Sequence, residues 1–451
     1  MQQAERLDAD FAAYPNAEKL LQIAGRTSVR PLQEVTLRVA SGHTPYLHDV
    51  DLGDVGFVTV ECVGPLRFHT DKLKRVTQSQ YEREFSSLRI EKGTVLCTIK
   101  RRICQAYPWI DEPVVPLALN QDVALLVPKE GVRAAYLAAY LSSRVGQAFA
   151  ERQKTEQMNP YISLANLRTL PVYVAGDDLQ DDIEAVVGHS QSAWSDVQAN
   201  QRQAQEALIE ALGLATWSPP DPLTYSASAA EVRHARRLDA QFFAPRFEGL
   251  IAHVEDTGQA VRFGDILSMN ARGNQPTYSD AGLPVVNSRH VRINRVEIEG
   301  ARTADPALAG VLIEEGDLLL NGTGVGTIGR AAPYLRQDKA IPDNHVTVLR
   351  ADGIDPIYLS VFLNSRIGQM QVERHLKGSS GQIELYPTDI DEFVIWRAPD
   401  QVQQEIRDFV LESFEAERRA IHLCDVAKHA VEIAVEKGDV AARQFLNEVE
   451  G

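Results

Sequence analysis

The chain of 451 residues repeats itself, and this duplication limits its possible folds more than any other feature. The segment YLAAYLSSRVGQAFAER (136–152) returns as YLSVFLNSRIGQMQVER (358–374), with nine of seventeen positions identical. Two shorter blocks recur in the same order at nearly the same offset: RLDA at 6–9 and 237–240, and IEKG at 90–93 as IEEG at 313–316. The sequence therefore predicts two tandem copies of a unit of about 220 residues.

Both copies show the same order of secondary-structure patterns. Apolar, β-branched runs bounded by glycine, proline or aspartate predict strands at GFVTVECV (56–63), TVLCTI (94–99), VALLVP (123–128), DLLLN (317–321) and HVTVLRA (345–351). A helix is predicted over 134–152 and again over 356–374, followed by a short strand at 170–174 or 393–399. The pattern indicates an α/β (α+β) protein with two similar globular bodies.

Each copy closes with a long amphipathic helix. The first is predicted from about Asp178 to Leu212, and the second from Pro399-Asp400 to about Leu446, with a break near Gly438. Their apolar residues recur at spacings of three and four, so each helix needs a partner. A helix of 35 residues spans about 52 Å, which exceeds what a body of this size requires. We therefore expect an antiparallel pair that serves as a coiled-coil spacer.

These patterns define the predicted domains. A linker rich in proline and serine follows Ser218 and separates the two copies. The predicted boundaries are 1–175 for the first body, 176–217 for the first long helix and the start of the linker, 218–398 for the linker and second body, and 399–451 for the second long helix.

Charge is distributed unevenly along the chain, whose net charge is -16. Segment 177–212 has eight acidic residues against one arginine, and segment 400–450 has twelve acids against six bases. Segment 60–110 instead has ten bases and five acids. The acid therefore belongs to the helices, and the first body is locally basic. A basic surface on an acidic protein remains compatible with phosphate contact.

The glycines of Gly324-Val-Gly326-Thr-Ile-Gly329 match the dinucleotide-binding fingerprint G-x-G-x-x-G. The first copy is an internal control, because its equivalent loop contains Lys100-Arg101-Arg102 and no glycine. A dinucleotide site also needs a helix directly after the glycines, whereas Pro333 follows here. We therefore interpret the glycines as a loop between two strands.

The sequence shows no catalytic, metal-binding or export signal. There is no Walker-type phosphate loop and no methylation motif of the N/D-P-P-Y/F kind, and the histidines lack metal-ligand spacing. The four cysteines lack C-x-x-C spacing and are interpreted as reduced thiols. The first residues have neither a basic nor an apolar leader region, and no apolar run reaches the length of a membrane span. We expect a cytoplasmic protein.

Several motifs resemble the specificity (S) subunits of type I restriction–modification systems. In the second copy the resemblance runs through GDLLLNGTGVGTIGRAA, DNHVTVLRA, YLSVFLNSRIGQ and KGSSGQIELYPTDI. In the first copy it runs through ASGHTP (40–45), IEKGTVLC and YLAAYLSSRVGQ. The first copy departs from the pattern because it lacks the glycine loop and the GSSGQ segment.

The resemblance implies a function in DNA recognition. Each body would be a target recognition domain that reads one half of a split double-stranded DNA site. The paired helices would set the gap between the halves and dock two methyltransferase (M) subunits, and a restriction (R) subunit could join. This chain would do no chemistry and hold no cofactor or metal, whereas the partner subunits would use S-adenosylmethionine, ATP and Mg.

DNA contact requires cations and backbone N–H groups for phosphates, and polar side chains for base edges. In the first body the predicted DNA-binding residues are Lys72, Lys74, Arg75, Lys100, Arg101 and Arg102. In the second body they are Arg289, His290, Arg292, Asn321, Thr323, Lys377, Ser379, Ser380 and Gln382. The repeated arginines Arg144 and Arg366 are predicted to be structural. Asn120 and Asn344 are each predicted to close the turn before a strand.

Three alternative functions remain open from the sequence. The chain could be the specificity subunit of another methylation-based phage-defence system. It could be an acidic DNA mimic that blocks a DNA-binding enzyme, as the net charge of -16 suggests. It could be a nucleotide-dependent enzyme that uses the glycine loop.

Overall fold

The computed structural model describes residues 22–23, 25, 28–45, 53–113, 115–155, 158–378 and 383–450. The chain forms two compact units, one comprising Met1–Asp196 with Ala416–Gly451 and the other comprising Val197–Glu415. Each unit takes one globular body and part of both long helices. The units therefore divide the two helices, whereas the predicted domains keep each helix whole.

A four-stranded antiparallel sheet is the centre of the first body. The described strands of this body are β1 (Val29–Pro31), β2 (Thr36–Ser41), β3 (Val55–Val58), β4 (Val63–Gly64), β5 (Arg67–Phe68), β6 (Lys74–Val76), β7 (Val95–Thr98), β8 (Ala106–Pro108), β9 (Leu117–Leu119), β10 (Val123–Pro128) and β11 (Pro171–Tyr173). The sheet has the order β2-β10-β7-β8, and a second sheet has the order β6-β3-β9. Strands β1 and β11 pair, as do β4 and β5.

A buried helix covers one side of this sheet. The described helices of the first body are α1 (Leu32–Val35), α2 (Gln78–Gln80), α3 (Ala134–Ser142), α4 (Arg144–Gln153) and α5 (Leu164–Arg168), with 3-10 turns at Val60–Cys62 and Thr70–Lys72 and a π-helical turn at Tyr81–Phe85. All nine residues of α3 are buried. The hydroxyls of Tyr136 and Tyr140 donate to backbone carbonyls 2.7 and 2.8 Å away, so their burial leaves no polar group unsatisfied.

The second body has its own set of strands. They are β12 (Ala260–Arg262), β13 (Leu267–Arg272), β14 (Tyr278–Ser279), β15 (Leu283–Val286), β16 (Val291–Arg292), β17 (Arg295–Val296), β18 (Thr303–Ala304), β19 (Leu318–Asn321), β20 (Ala331–Pro333), β21 (Ile341–Pro342), β22 (Val346–Ala351) and β23 (Val394–Trp396). The central sheet has the order β13-β22-β19-β20, and another has the order β14-β18-β15-β21. Strands β12 and β23 pair, as do β16 and β17.

A long helix leaves the first body, and shorter helices follow it in the second unit. Helix α6 (Asp177–Ala211) leads out of the first body, and the second unit then contains α7 (Ala229–Ala235), α8 (Pro245–Glu255), α9 (Phe263–Ile266), α10 (Pro356–Asn364), α11 (Arg366–His375) and α12 (Pro387–Ile390), with 3-10 turns at Ala240–Phe243 and Pro306–Leu308. Helix α13 (Asp400–Lys437) and helix α14 (Asp439–Glu450) close the chain.

The predicted duplication is confirmed by the two central sheets. The order β2-β10-β7-β8 in one body matches β13-β22-β19-β20 in the other. The hairpin pairs Cys97 with Ala106 in the first body and Leu320 with Ala331 in the second. Helices α3 and α10 both have nine residues, and α4 and α11 both have ten.

Two local predictions were wrong. The helix expected over 134–152 is two helices, because Ser143 is extended between them and its Oγ accepts the Gly146 N–H at 3.2 Å. Ser365 divides the second copy in the same way, accepting from Ile367 N–H. The strand expected over 56–63 ends at Val58, where the chain enters a 3-10 turn.

The predicted antiparallel helix pair and the break near Gly438 are confirmed. In the first unit, Ser190 of α6 donates to the Ala420 carbonyl at 2.9 Å, and Arg443 of α14 binds Asp182 at 2.8 Å. The partners of α6 thus come earlier along the chain as α6 advances. Gly438 separates α13 from α14 with φ 90°, a left-handed conformation that favours glycine.

The second unit also packs segments of both helices on its body. Ala204 and Leu208 of α6 share one hydrophobic core with Ile406 and Val410 of α13. That core also contains Phe362 of α10. Burial of these apolar faces, as their sequence spacing predicts, stabilises each helix segment against a body.

Candidate nucleic-acid interface

The predicted contacts gather around one β-hairpin in each body. Strands β7 and β8 are joined by residues 99–105, and strands β19 and β20 by residues 322–330. The prediction that the glycines form a loop between two strands is therefore confirmed. Gly324, Gly326 and Gly329 have φ values of 99°, 76° and 80°, all in the left-handed region. These glycines shape a turn, and no helix follows them to bind a pyrophosphate.

A repeated glutamine holds the end of each hairpin loop. Gln147 Nε2 donates to the Cys104 carbonyl at 2.8 Å, and Gln369 Nε2 donates to the Gly329 carbonyl at 2.9 Å. Cys104 and Gly329 both have positive φ. The identical glutamines of the two copies therefore fix equivalent loops on α4 and α11.

The first hairpin loop presents three cations that have acidic neighbours. Lys100 Nζ lies 2.6 Å from a carboxylate oxygen of Asp122. Arg101 Nη1 donates to Glu61 Oε1 at 2.8 Å, and Arg102 Nη2 donates to a main-chain carbonyl at 3.2 Å. The side chains of Arg101 and Arg102 are 64% and 50% exposed. Both arginines are thus oriented by the protein and still accessible to solvent.

The other three predicted cations of this body are Lys72, Lys74 and Arg75, on and before strand β6. Lys74 and Arg75 are exposed on β6, an edge strand of the sheet β6-β3-β9. Lys72 comes just before that strand, and Cys62 Sγ donates to its carbonyl at 3.4 Å. Cys62 follows Glu61 in one 3-10 turn. The backbone of Lys72 therefore lies beside the turn that contains Glu61, the partner of Arg101.

Positively charged neighbours contribute to lowering the pKa of His69. Burial and, after it, the charges of Arg67, Arg102 and Lys72 lower the pKa of His69 to about 4. Asp71, which lies 2.7 Å from the Lys72 ammonium, opposes them. His69 is therefore neutral at physiological pH, in a locally positive field.

Two predicted contacts of the second body point into the protein. Asn321 is fully buried, and its Nδ2 donates to the Ser288 carbonyl at 3.0 Å. His290 is only 5% exposed, and its Nδ1 accepts the Asn287 N–H at 3.1 Å. Burial, with Arg289 second, lowers the pKa of His290. Both side chains hold a turn in the described structure, so their predicted contact with DNA would require that turn to open.

The arginines beside them are exposed. Arg289 lies on the 287–290 turn, with its Nε 3.2 Å from the His290 ring. Arg292 Nε lies 3.2 Å from a carboxylate oxygen of Glu297, and its side chain is 47% exposed. These two cations lie on the surface that carries the second hairpin, since Asn321 of that hairpin bonds the same turn.

Thr323 and Lys377 form a polar border of the second loop. Thr323 Oγ1 lies 2.6 Å from His345 Nδ1. Lys377 Nζ lies 2.6 Å from Asp389 Oδ1, and 5.6 Å from the centre of the Tyr386 ring. The predicted residues Ser379, Ser380 and Gln382 lie outside the described residues.

Some residues at these surfaces were missed by the sequence reasoning. Arg272 Nη2 donates to the Gly322 carbonyl at 3.3 Å, and its guanidinium lies 5.3 Å from the centre of the Tyr386 ring. Tyr386 is 40% exposed between Arg272 and Lys377. Glu61 positions the first-loop arginines. No local pattern identifies Arg272 or Glu61, because their hydrogen-bond partners lie 50 and 40 residues away in the chain.

The repeated arginines have structural contacts, as predicted for Arg144. Its main-chain N–H and its Nε both donate to the Glu432 carboxylate at 2.8 Å, which caps the first turn of α4. Arg366 lies 5.5 Å from the centre of the Trp217 ring.

Turn closure before the sheet strands was predicted correctly for Asn120 and wrongly for Asn344. Asn120 Oδ1 accepts the Asp122 N–H at 2.9 Å. In the second copy the same bond is made by Asp343, whose Oδ1 accepts the His345 N–H at 2.9 Å. The sequence alignment of the two turns was one residue out of register.

The described part of the chain has neither a metal-binding cluster nor a membrane-spanning helix. Among them, no group of three or more histidine, cysteine or acidic side chains is arranged to hold a metal ion. All four cysteines are free and buried. None of the helices in the described part of the chain is long and apolar enough to cross a membrane.

Comparison with known proteins gives matches among solved structures. A type I restriction–modification S subunit from M. genitalium matches at 11% identity and TM-score 0.44, covering 90% of this chain and 95% of its own. The chain is similar to type I specificity subunits. A structure of complex assembly in the type I R-M system matches at 12% identity and TM-score 0.33, covering 91% of this chain and 97% of its own. The HsdS subunit from Thermoanaerobacter tengcongensis matches at 13% identity and TM-score 0.27, covering 92% and 98%.

No protein-family model and no curated protein matches the chain. At identities of 11–13% and TM-scores below 0.5, the role of each hairpin is inferred from the residues of this chain.

Proposed function

We propose that the chain is the DNA specificity subunit of a type I restriction–modification complex. Each body would read one block of a split double-stranded DNA target. The observation that carries this proposal is that one scaffold occurs twice and presents different side chains at equivalent hairpins. Catalysis would belong to partner subunits that use S-adenosylmethionine, ATP and Mg.

The equivalence of the two surfaces extends to the turn beside each hairpin. Thr59 N–H donates to Cys62 Sγ at 3.4 Å, and Asn287 N–H donates to His290 Nδ1 at 3.1 Å. Within these matching turns, Glu61 of the first copy corresponds to Arg289 of the second.

The charge difference between the two hairpin loops is opposite to that between the turns, because here the first copy carries the positive charge. The first contains Lys100-Arg101-Arg102, whereas the second is uncharged from Gly322 to Gly329 and exposes Val325 at 75%. A common framework with exchanged charges and different apolar surface is what two readers of different sequences require.

The acidic net charge does not oppose DNA binding at the hairpins. The predicted DNA-binding cations lie on the bodies, while the helices carry exposed acids such as Asp178 (78%), Glu206 (65%) and Asp425 (63%). Charge separation of this kind lets one surface approach phosphates while another repels them. We infer that the helices are used for protein partners, two methyltransferase subunits and a restriction subunit where one is present.

The test is to map methylated adenines in the host genome by long-read sequencing, with the gene intact, deleted and restored. We expect a methylated split motif, two short blocks around a fixed gap, that disappears on deletion and returns on restoration. Persistence of the same mark after deletion would contradict the proposal. In that case salt-dependent binding of purified chain to DNA would be measured next, since an acidic DNA mimic should show none.

A system other than type I would give the same methylation result. The two are separated by isolating the intact complex with its partners from the host. A translocase chain that hydrolyses ATP in the complex would support the type I assignment, and a complex without ATP hydrolysis in restricting cells would contradict it.

A further inference from the structure

We propose that Arg101 reads a guanine in the half-site bound by the first body, and that Glu61 is the positioning residue for its guanidinium. This inference rests on the proposed function and adds the identity of one base and the residues that select it. It comes from three features of Arg101: its backbone, its single side-chain partner and its free edge.

The backbone of Arg101 is held in a costly conformation. Its φ is 62°, in the left-handed region that residues other than glycine seldom occupy. Its N–H donates to the Pro160 carbonyl at 3.0 Å, and the adjacent Lys100 forms a β-bridge with Tyr161. Such conformations persist where surrounding contacts impose them, and they are concentrated at functional sites. Here the contacts fix the backbone that carries the Arg101 side chain.

The side chain of Arg101 is restrained at one end only. Nη1 donates to Glu61 Oε1 at 2.8 Å, while the side chain remains 64% exposed. Its Nε and Nη2 make no hydrogen bond within the part of the chain that the structure describes. These two atoms form one edge of the planar guanidinium. That edge is therefore free to donate two parallel hydrogen bonds to a ligand.

Guanine is the base that fits this edge. It presents two acceptors, O6 and N7, in the major groove, and a bidentate arginine is the commonest specific contact made to it. Fixing the arginine before binding reduces the rotamer freedom that is lost in the complex. Glu61 can do this without blocking the Nε–Nη2 edge, because it bonds the other nitrogen.

The neighbouring cations are less suited to this role. Lys100 lies against Asp122, and a lysine has no planar pair of donors. Arg102 Nη2 already donates to the Val60 carbonyl and lies 3.7 Å from Glu61. These two residues suit phosphates, which carry no sequence information.

The experiment replaces the host gene with single variants of the full-length chain and maps adenine methylation. Arg101→Lys keeps the charge and removes the bidentate edge. Glu61→Ala removes the positioning contact, and Glu61→Gln retains an oxygen that can accept from Nη1. The matched control is Glu112→Ala, which removes an exposed carboxylate of the same body that accepts the Lys92 N–H at 3.4 Å.

We expect the wild-type motif to contain a guanine in one block. In Arg101→Lys and Glu61→Ala, preference for that guanine over other bases should fall by about 5- to 100-fold. Glu61→Gln should stay near wild type, as should Glu112→Ala. A purely structural role for Glu61 would instead lower methylation at all sites and leave the base preference unchanged.

Each other outcome is decisive. Absence of any split motif in the wild type would overturn the proposed function itself. A split motif without guanine, or one whose guanine preference survives Arg101→Lys, would overturn only the present inference. A uniform loss across all sequences would assign Arg101 to a phosphate and would also overturn it. Thermal unfolding of each purified variant confirms that the chain is folded, which the exposure of both side chains leads us to expect.

Discussion

Replacing Asp317 by alanine should weaken the hairpin of the second body. Its carboxylate is 1% exposed and binds Arg350 through two bonds, Nε at 2.7 Å and Nη2 at 2.9 Å. It also accepts the Glu314 N–H at 2.7 Å. The two Arg350 bonds join the start of β19 to β22, the strand beside it, and the third closes the turn before β19.

The magnitude follows from what the alanine leaves behind. Breaking a buried ion pair costs about 3–5 kcal/mol, but Arg350 is 34% exposed and keeps Glu314 at 3.1 Å, which reduces the loss to about 2 kcal/mol. The unpaired Glu314 N–H adds about 1 kcal/mol. A total of about 3 kcal/mol corresponds to a fall in Tm of about 6–12 °C for a unit of this size.

The assay is hydrogen–deuterium exchange of the peptides that cover β19 and β20. A loss of about 3 kcal/mol should speed exchange there by about 100-fold, if opening of the sheet limits it, and leave β7 and β8 of the other unit unchanged. Lys339→Ala is the control, because it breaks an exposed pair with Glu314 at 2.6 Å and should cost less than about 1 kcal/mol. Equal exchange in the two variants would refute the reasoning.

Three further predictions concern the attachment of the bodies to the helices and the effect of pH. Gln403 is 6% exposed and accepts the Asp355 N–H at 2.9 Å, so Gln403→Ala should cost about 2 kcal/mol, measured by exchange of the first turn of α10. Glu432→Ala should lower the free energy of unfolding in urea by about 1 kcal/mol, because Arg144 loses its carboxylate partner but is 82% exposed and is solvated instead. A larger loss would show that water does not replace the lost contact. Burial lowers the pKa of His375 to about 4. Between pH 6.5 and 4 the folded state therefore binds fewer protons than the unfolded state. The free energy of unfolding should fall by at most about 3 kcal/mol as the pH is lowered from 6.5 to 4. His375→Gln should flatten this dependence, and an unchanged slope between pH 7 and 4.5 would show that other groups cause it.

The fold could be predicted because each pattern of one copy can be compared with the equivalent pattern of the other. A strand pattern such as 123–128 or a helical pattern such as 134–152 fits several topologies alone, but its recurrence in the same order leaves few of them. The long helices followed from apolar spacing, and their break followed from Gly438. The divisions at Ser143 and Ser365 were missed because the serine that caps a new helix also fits within an uninterrupted apolar pattern.

The surfaces were less predictable than the fold. Asn321 and His290 were chosen for chemistry that reads bases, yet the structure uses the same hydrogen-bonding groups to close a turn. Residue type says which bonds a side chain can make, whereas its direction depends on strand register and on partners far away. Glu61 and Arg101 are 40 residues apart in the chain, and only the folded turn places them together.

The division of both long helices between the units has a consequence for biosynthesis. Asp178 and Arg443 bond each other across 265 residues of chain, and the buried Val186 and Val187 of α6 share their core with Val431 of α13. The two parts of the first unit are therefore synthesised at different times, with the whole second unit between them. Its apolar helix face stays uncovered until residues 416–451 leave the ribosome. An exchange that transfers the complete second unit between genes therefore needs junctions at both 196/197 and 415/416.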